Sequence, residues 1–249
     1  MDCRNYLECR FDNPGHQVAF KTEKRVDIMA EKKIKPKKMV FLEAILIVGA
    51  LISIFMLWQK RPVTPQLLIP TELRGLLLPE PKQLTPFKLV DQFGAPFGLD
   101  RLQGNWSFIF YGYTHCPDVC PTSLGFLAEV FDQLKAYPGA LDNTQAFFIS
   151  VDPKRDTPEL LKDYVPYFNE KFIGVTGSAA EIDSITKQMW AQYQLSDEVD
   201  EDGNYSVDHT AAFFVVDPKG RLFAIFSSEL QRTPETVSKA FSLIRPMVK

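Results

Sequence analysis

Two cysteines four residues apart lie between a predicted buried strand and a predicted helix, and they constrain the fold of this 249-residue chain more than any other feature. Residues 106–113 form a strongly apolar run that predicts a buried strand, and a helical pattern begins at Pro121. Cys116 and Cys120 therefore occupy the turn between the two elements. Because residues four apart share one side of a helical turn, their sulfurs can form a disulfide or bind one soft metal ion.

The segment from Leu84 onward predicts alternating strands and helices. The predicted strands cover 87–90, 96–99, 105–113, 145–151, 172–175, 211–217 and 222–226, and the predicted helices cover 121–136, 157–168, 178–193 and 233–247. Turn residues at 91–94 and 218–221 predict hairpins. A βαβ unit followed by a ββα unit predicts an α/β fold, a thioredoxin-like sandwich, with the cysteines at the carboxyl end of a central strand.

Composition limits the possible partners and sites. The hydrophobic fraction of 45 % allows a sizeable core, and the net charge of −3 gives no reason to expect nucleic acid as a partner. Four cysteines are too few to stabilise a chain of this length by disulfides alone. The chain has only three histidines, His16, His115 and His209, so an imidazole ligand has few possible sources.

His209 is the expected third ligand of a metal site. It precedes the predicted strand 211–217, which lies beside the cysteine turn in a thioredoxin-like fold. Two thiolates and one imidazole favour copper, Cu(I) especially, and leave room for Cu(II) with a further weak ligand. Zinc would need a fourth ligand from the protein or from water, and His115 adjoins Cys116 too closely to turn inward easily. A structural disulfide and a structural role for His209 are the alternatives.

Residues 39–58 predict an N-terminal single-pass transmembrane helix. The run has 20 residues and one charge, Glu43, and at a rise of 1.5 Å per residue it covers about 30 Å, the thickness of a bilayer core. Five lysines precede the run within 32–38, and only Lys60 and Arg61 follow it closely. This bias predicts a cytoplasmic tail, 1–38, and an outward-facing domain. A cleaved signal peptide is the alternative, but no small-residue cleavage site follows the run.

The segments on either side of this run are also unusual. Six prolines between positions 62 and 86 predict a proline-rich stalk over 59–83, which carries the folded copper-binding domain, 84–249. Upstream, the sequence from Met29 is typical of the start of a membrane-anchored protein. We therefore hypothesise that translation begins there, which would leave Cys3, Cys9 and His16 outside the mature chain. A metal site formed by those three residues is the alternative.

The tail also indicates a compartment. It contains acidic residues and lacks the Arg- and Ser-rich, acid-poor composition of a mitochondrial transit peptide. We expect a bacterial inner membrane, with the N-terminus in the cytoplasm and the folded domain in the periplasm.

Three motifs resemble those of the Sco/SenC family of membrane-anchored copper proteins. They are GYTHCPDVCP at 112–121, SVDPKRDTP at 150–158, and Asp208 followed by His209. The resemblance implies a thioredoxin-like fold with copper bound by Cys116, Cys120 and His209. It also implies a role in assembling the binuclear copper centre of cytochrome c oxidase subunit II. All three ligand positions are occupied in this sequence.

Five further polar residues are expected to support the site. Asp118 and Asp208 are expected to lie beside the ligands and to tune them. Asp152, Arg155 and Asp156 are expected to form a polar brace near the site, or alternatively an N-capping and salt-bridge cluster.

Two functions of different classes fit these residues. The first is a copper metallochaperone, a binding and transfer protein rather than an enzyme. It would receive copper from a donor protein, and its three-ligand site would leave an edge open for a recipient thiol. The second is a membrane-tethered thiol–disulfide oxidoreductase that keeps the recipient's cysteines reduced, with Cys116 attacking and Cys120 resolving. Dedicated oxidoreductases of this fold have two residues between the cysteines and a facing cis-proline, whereas this chain has three residues and Asp-His-Thr. A thiol peroxidase is a third interpretation, but it leaves His209 without a task.

Overall fold

The structure is a computed structural model, and the residues that it describes are 37–59, 70, 73–200, 203, 205–227 and 233–248. The chain divides into two compact units, Met1–Val63 and Thr64–Lys249. In the first unit, helix α1 covers Lys37–Gln59. Within the described part of the chain, no helix is long and apolar enough to cross a membrane. The proposed start at Met29, the tail cysteines and His16, and stalk residues 60–69 lie outside the described residues.

The second unit contains ten strands and four α-helices among its described residues. The strands are β1 (Leu77–Gln83), β2 (Leu89–Asp91), β3 (Pro96–Phe97), β4 (Trp106–Gly112), β5 (Thr144–Ser150), β6 (Ile173–Thr176), β7 (Tyr193–Leu195), β8 (Val207–His209), β9 (Ala212–Val216) and β10 (Arg221–Ser227). The helices are α2 (Val119–Leu134), α3 (Pro158–Tyr164), α4 (Ala179–Gln188) and α5 (Pro234–Ile244).

Eight strands form one mixed sheet in the order β1-β10-β9-β4-β5-β6-β2-β3, and β7 pairs with β8 in a separate two-stranded sheet. Strands β4, β5 and β6 are parallel, and β9 lies antiparallel to β4. All seven residues of β4 are buried, which explains the continuous apolar run in its sequence. The predicted α/β sandwich is confirmed, and β4 leads from the centre of the sheet directly into the cysteine turn.

Helix α2 is fixed by its apolar face. Four apolar residues of this face are buried: Leu124, Leu127, Phe131 and Leu134. Phe131 contacts Phe108 of β4, with ring centres 5.7 Å apart, and Phe108 contacts Phe241 of α5 at 4.7 Å. Burial of each such side chain contributes roughly 1.5–3 kcal/mol. The start of α2, which carries Cys120, is therefore anchored to the core.

Strand β1 lies in the segment that the sequence analysis assigned to the stalk, so the ordered domain begins before Leu84. It pairs antiparallel with β10, and its register shifts between Leu77 and Lys82. The shift coincides with Pro79 and Pro81, which lack the N–H that a regular ladder requires. An edge position tolerates these prolines, and β1 is an edge strand. Upstream, Leu73 is also fully buried.

Helix α4 is shorter than the predicted helix 178–193. It ends at Gln188, where Trp190 adopts a left-handed conformation with φ 59°. The Ala191 amide donates to the Thr186 carbonyl at 2.9 Å, a bond that closes the end of a helix around a left-handed residue. The chain can then begin β7 at Tyr193, and β7 pairs with β8 in an antiparallel hairpin.

Candidate metal centre

The cysteine turn joins β4 to α2. Strand β4 ends at Gly112, and α2 begins at Val119, two residues earlier than predicted. Cys120 is therefore the second residue of the helix, and Cys116 lies in the turn before it. His209 is the last residue of β8, just before β9. Because β9 pairs with β4, the histidine arrives at the same edge of the sheet as the cysteines.

The structure brings the three predicted ligands together. The Sγ atom of Cys120 lies 3.3 Å from Nε2 of His209. The Cys120 amide donates to Sγ of Cys116 at 3.4 Å. The two sulfurs and one ring nitrogen all lie within 4.8 Å of one another, and both cysteines are free thiols. A single metal ion can therefore be reached by all three side chains.

The two thiols have different environments. Cys120 is fully buried, and burial raises its pKa far above the ordinary value. Cys116 is half-buried, and this burial also acts to raise its pKa. The backbone N–H groups of Cys120, Asp118 and Val119 oppose that effect, so the pKa of Cys116 is lowered overall. Cys116 is therefore the more readily ionised thiol, as expected at a helix N-terminus.

His209 is oriented to use Nε2 as its free ring nitrogen. Its Nδ1 lies 3.5 Å from the carbonyl oxygen of Thr210, which favours a proton on Nδ1 and leaves the Nε2 lone pair facing Cys120. Burial lowers the pKa of His209, although the Thr210 carbonyl and Asp208 act to raise it. The neutral ring is thus favoured, and neutral imidazole is the form that binds metals.

Aromatic rings hold the imidazole on two sides. The His209 ring meets Phe110 at 5.8 Å and Tyr113 at 6.2 Å between centres, both nearly edge to face. Both aromatic residues are buried. The ring is therefore fixed beside the cysteine turn by packing as well as by its hydrogen bond.

Asp156 supports the cysteine turn through hydrogen bonds, as part of the expected polar brace. Its carboxylate accepts hydrogen bonds from the Thr114 amide at 2.9 Å and from the Thr114 hydroxyl at 2.6 Å. The Ser150 hydroxyl donates to the same carboxylate at 2.6 Å. Asp156 is only 1 % exposed, so these bonds are protected from water. The brace ties the turn to the loop that follows β5.

Replacing Asp156 with Ala is expected to lower the free energy of unfolding by about 3 kcal/mol, because the buried Ser150 hydroxyl and the two half-buried donors of Thr114 lose their acceptor. Denaturant unfolding of the reduced protein measures this loss. Asp132→Ala is the matched control, because among the described residues its carboxylate pairs only with Lys135, and both side chains are largely exposed. The control should change stability by less than about 1 kcal/mol. Equal losses in the two variants would contradict the brace.

The other predicted supporting residues lie further from the ligands. The Asp118 carboxylate accepts from the Thr122 hydroxyl at 3.4 Å, and its contribution to the site is its backbone N–H near Cys116. Asp208 is exposed and acts on His209 only through its charge. The His115 side chain is 45 % exposed, and its Nδ1 lies 3.1 Å from the Thr114 hydroxyl. His115 is not part of the cluster formed by Cys116, Cys120 and His209.

Two residues of the site were not singled out from the sequence. A Cβ atom at Gly112 would lie 2.7 Å from Sγ of Cys120, so only glycine fits at the end of β4. Gly112 is the first residue of the motif at 112–121, and this position is the sequence feature that could have identified it. Tyr205 donates its hydroxyl hydrogen to Asp152 at 2.8 Å, a contact for which the acidic segment around it gives no local signal.

The fold and the three converging side chains define a thioredoxin-like domain with a candidate metal site of two thiols and one imidazole. The chain belongs to the SCO1/SenC family, because the sequence model of that family matches residues 78–244.

Individual relatives and solved structures agree with this assignment. The chain is 40 % identical over 141 residues to a SCO2-like protein of Rickettsia prowazekii, a match that covers 57 % of this chain and 67 % of that protein. The structure of Bradyrhizobium japonicum ScoI with copper bound is 39 % identical, with a TM-score of 0.56, over 65 % of this chain and 98 % of that chain. Arabidopsis thaliana ScoI with copper bound is 32 % identical, with a TM-score of 0.60 and the same coverage.

Proposed function

We propose that this protein is a copper metallochaperone that binds copper through Cys116, Cys120 and His209. Its role would be to deliver the ion to, or prepare, the binuclear copper centre of cytochrome c oxidase subunit II. The observation that carries this function is the convergence of two sulfurs and one imidazole nitrogen within 4.8 Å. Support for copper as the cargo comes from the copper-bound ScoI structures with the same fold.

The donor set suits copper better than zinc. Thiolates are soft ligands, and a set of two sulfurs and one nitrogen fits Cu(I) without a fourth donor. Structural zinc sites are almost always four-coordinate, and the one other histidine among the described residues, His115, contacts Thr114 and lies near Asp156. The protein favours the required protonation state at two of the three ligands, since the pKa of Cys116 and the pKa of His209 are both lowered. Burial raises the pKa of Cys120, so copper would have to displace the proton of that thiol.

The burial of the ligands suggests how the cargo leaves. Cys116 is half-buried, whereas Cys120 is closed off from solvent. A recipient thiol can therefore approach the ion from the Cys116 side and replace that sulfur first. The three-ligand site leaves a coordination position for the incoming thiol, so transfer can proceed by ligand exchange.

A thiol–disulfide oxidoreductase remains the second candidate function, because the two thiols differ so strongly in pKa. The Cys116 thiolate would attack a disulfide of the recipient, form a mixed disulfide and release one recipient thiolate. Cys120 would then attack the Cys116 sulfur and release the second recipient thiol. The recipient would be reduced by two electrons and the Cys116–Cys120 pair oxidised to a disulfide, which a thiol reductant must reduce again.

Copper titration of the reduced full-length protein, followed by X-ray absorption, separates the two functions. A metallochaperone is expected to retain one copper ion with two sulfur ligands and one nitrogen ligand. Failure to retain copper, together with rapid exchange between the Cys116–Cys120 pair and a disulfide substrate, would instead make the protein a thiol reductase.

We also propose that residues 39–58 anchor the protein in a bacterial inner membrane, with the N-terminus in the cytoplasm and the copper-binding domain in the periplasm. Support comes from the sequence, in which residues 39–58 form an apolar run with a single charge, Glu43. A reporter enzyme that works only in the periplasm is expected to be active when it is fused after residue 249, and one that works only in the cytoplasm is expected to be inactive there. Release of the protein from membranes by alkaline carbonate would contradict an integral anchor.

A further inference from the structure

The hairpin that carries His209 lies outside the main sheet, and its Tyr193 hydroxyl donates to Asp183 of α4 at 2.6 Å. In the described part of the chain, β7 and β8 pair only with each other and not with the eight-stranded sheet. Three residue pairs join them, from Tyr193 opposite His209 to Leu195 opposite Val207. An isolated two-stranded ladder is marginally stable in water. Side-chain contacts with the domain are therefore needed to fix the hairpin and, with it, the histidine.

Arg155 supplies such a contact on the arm that leads into β8. Its guanidinium lies 3.7 Å from the ring centre of Tyr205, four residues before His209. Arg155 Nε donates to one carboxylate oxygen of Asp152, and the Tyr205 hydroxyl donates to the other at 2.8 Å. Asp152 is fully buried in the loop that follows β5. These three side chains form the Arg155 clamp, which fastens the hairpin arm to the body of the domain.

The same guanidinium also faces the cysteine turn. It lies 5.5 Å from the ring centre of Tyr113, which precedes Cys116 by three residues. The Tyr113 ring in turn contacts the His209 ring. Arg155 is therefore the point at which the loop after β5, the cysteine turn and the hairpin arm meet.

The way in which Arg155 is held makes its shape important. Its Nη1 and Nη2 atoms are buried and have no hydrogen-bond partner among the described residues. The side chain is thus held by its Nε edge and by contact with two aromatic rings. A lysine would keep the positive charge but lose the planar group that stacks on these rings, so Arg155→Lys tests geometry rather than charge.

We infer that Arg155 is a positioning residue of the metal site, which holds His209 Nε2 beside Cys120 by clamping the β7–β8 hairpin to the domain. The use of that position for copper rests on the function proposed above. The clamp itself is a property of the metal-free protein and can be measured without copper.

The first test uses reduced, metal-free protein. Arg155→Lys is expected to accelerate amide hydrogen exchange at least tenfold at Ser196 and Thr210, whose N–H groups donate across the hairpin at 2.8 Å and 2.9 Å. Arg221→Lys is the matched control, because Arg221 pairs with the buried Asp217 at the distant β9–β10 turn. The control should leave exchange in the hairpin unchanged. Unchanged exchange in Arg155→Lys would overturn the inference.

The second test asks whether Arg155 acts through the histidine. Arg155→Lys is expected to weaken copper binding about tenfold or more when His209 is present and less than about twofold in a His209→Ala background. X-ray absorption should show loss of the nitrogen ligand in Arg155→Lys. Equal losses in both backgrounds, or an unchanged nitrogen ligand, would overturn the inference. If the native protein bound no copper but Arg155→Lys still loosened the hairpin, the proposed function would fail while the clamp would stand.

Discussion

Replacing His209 with Ala is expected to lower the affinity of the reduced protein for copper by more than about 100-fold. Loss of a residue that only supports a ligand typically costs 10–100-fold, so loss of the ligand itself should exceed that range. Nε2 of His209 lies 3.3 Å from Sγ of Cys120, and among the described residues no other imidazole joins the ligand cluster to replace it. Competition with a Cu(I) chelator measures the affinity, and X-ray absorption identifies the remaining ligands.

His115→Ala is the matched control for this experiment. His115 adjoins Cys116 in sequence, but its side chain is 45 % exposed and directed toward Thr114 and Asp156. Its removal should change copper affinity less than about tenfold, the lower limit for residues that support a ligand. Disulfide exchange by Cys116 and Cys120 is expected to survive in His209→Ala, since neither sulfur is removed. Undiminished copper binding in His209→Ala would show that the ligand set is wrong.

Gly112→Ala is expected to disturb the site from within the core. The added Cβ atom would lie 2.7 Å from Sγ of Cys120 and 2.8 Å from the Phe148 ring, both closer than side chains normally approach. Both neighbours are fully buried, so neither can move aside freely. We expect a stability loss of about 1–3 kcal/mol from overpacking. Since whole domains are stable by roughly 5–15 kcal/mol, the variant should still fold.

The displaced sulfur should have a second, functional consequence. Because Cys120 is a proposed ligand, its displacement is expected to weaken copper binding by about 10–100-fold in protein that remains folded. Gly125→Ala is the control, because Gly125 lies in the same helix and an added Cβ would meet no atom within 4 Å apart from its chain neighbours and the adjacent backbone of the helix. That change should raise stability by up to about 1 kcal/mol, since alanine favours helix over glycine. If Gly112→Ala bound copper with native affinity, residue 112 could not lie as close to the Cys120 sulfur as the structure shows.

These two variants separate what the residues do chemically from where they lie. His209→Ala removes a donor atom and leaves the packing around Cys120 largely intact. Gly112→Ala keeps all three donors and changes only the position of one sulfur. If both lower copper affinity while their controls do not, the site depends on the identity of its ligands and on the precision of their placement.

Local sequence patterns were sufficient for the elements nearest the cysteines. The apolar run of β4 and the apolar face of α2 report burial directly, because side-chain periodicity follows the geometry of a strand or a helix. They placed Cys116 and Cys120 on a strand-to-helix turn to within two residues. Strand β1 was missed because its prolines obscure any alternation and its partner, β10, lies far along the chain.

The sequence by itself therefore determined the fold class, the cysteine turn and the short list of possible ligands, since each depends on contacts between close neighbours in the chain. The sequence already named His209 as the expected third ligand, but only the tertiary structure decided that its Nε2 reaches Cys120, because the two residues are 89 apart and are joined through the pairing of β9 with β4. It also decided that Gly112 has no room for a side chain and that Arg155 stacks on Tyr205. Such contacts depend on how distant segments pack, and no local pattern encodes them.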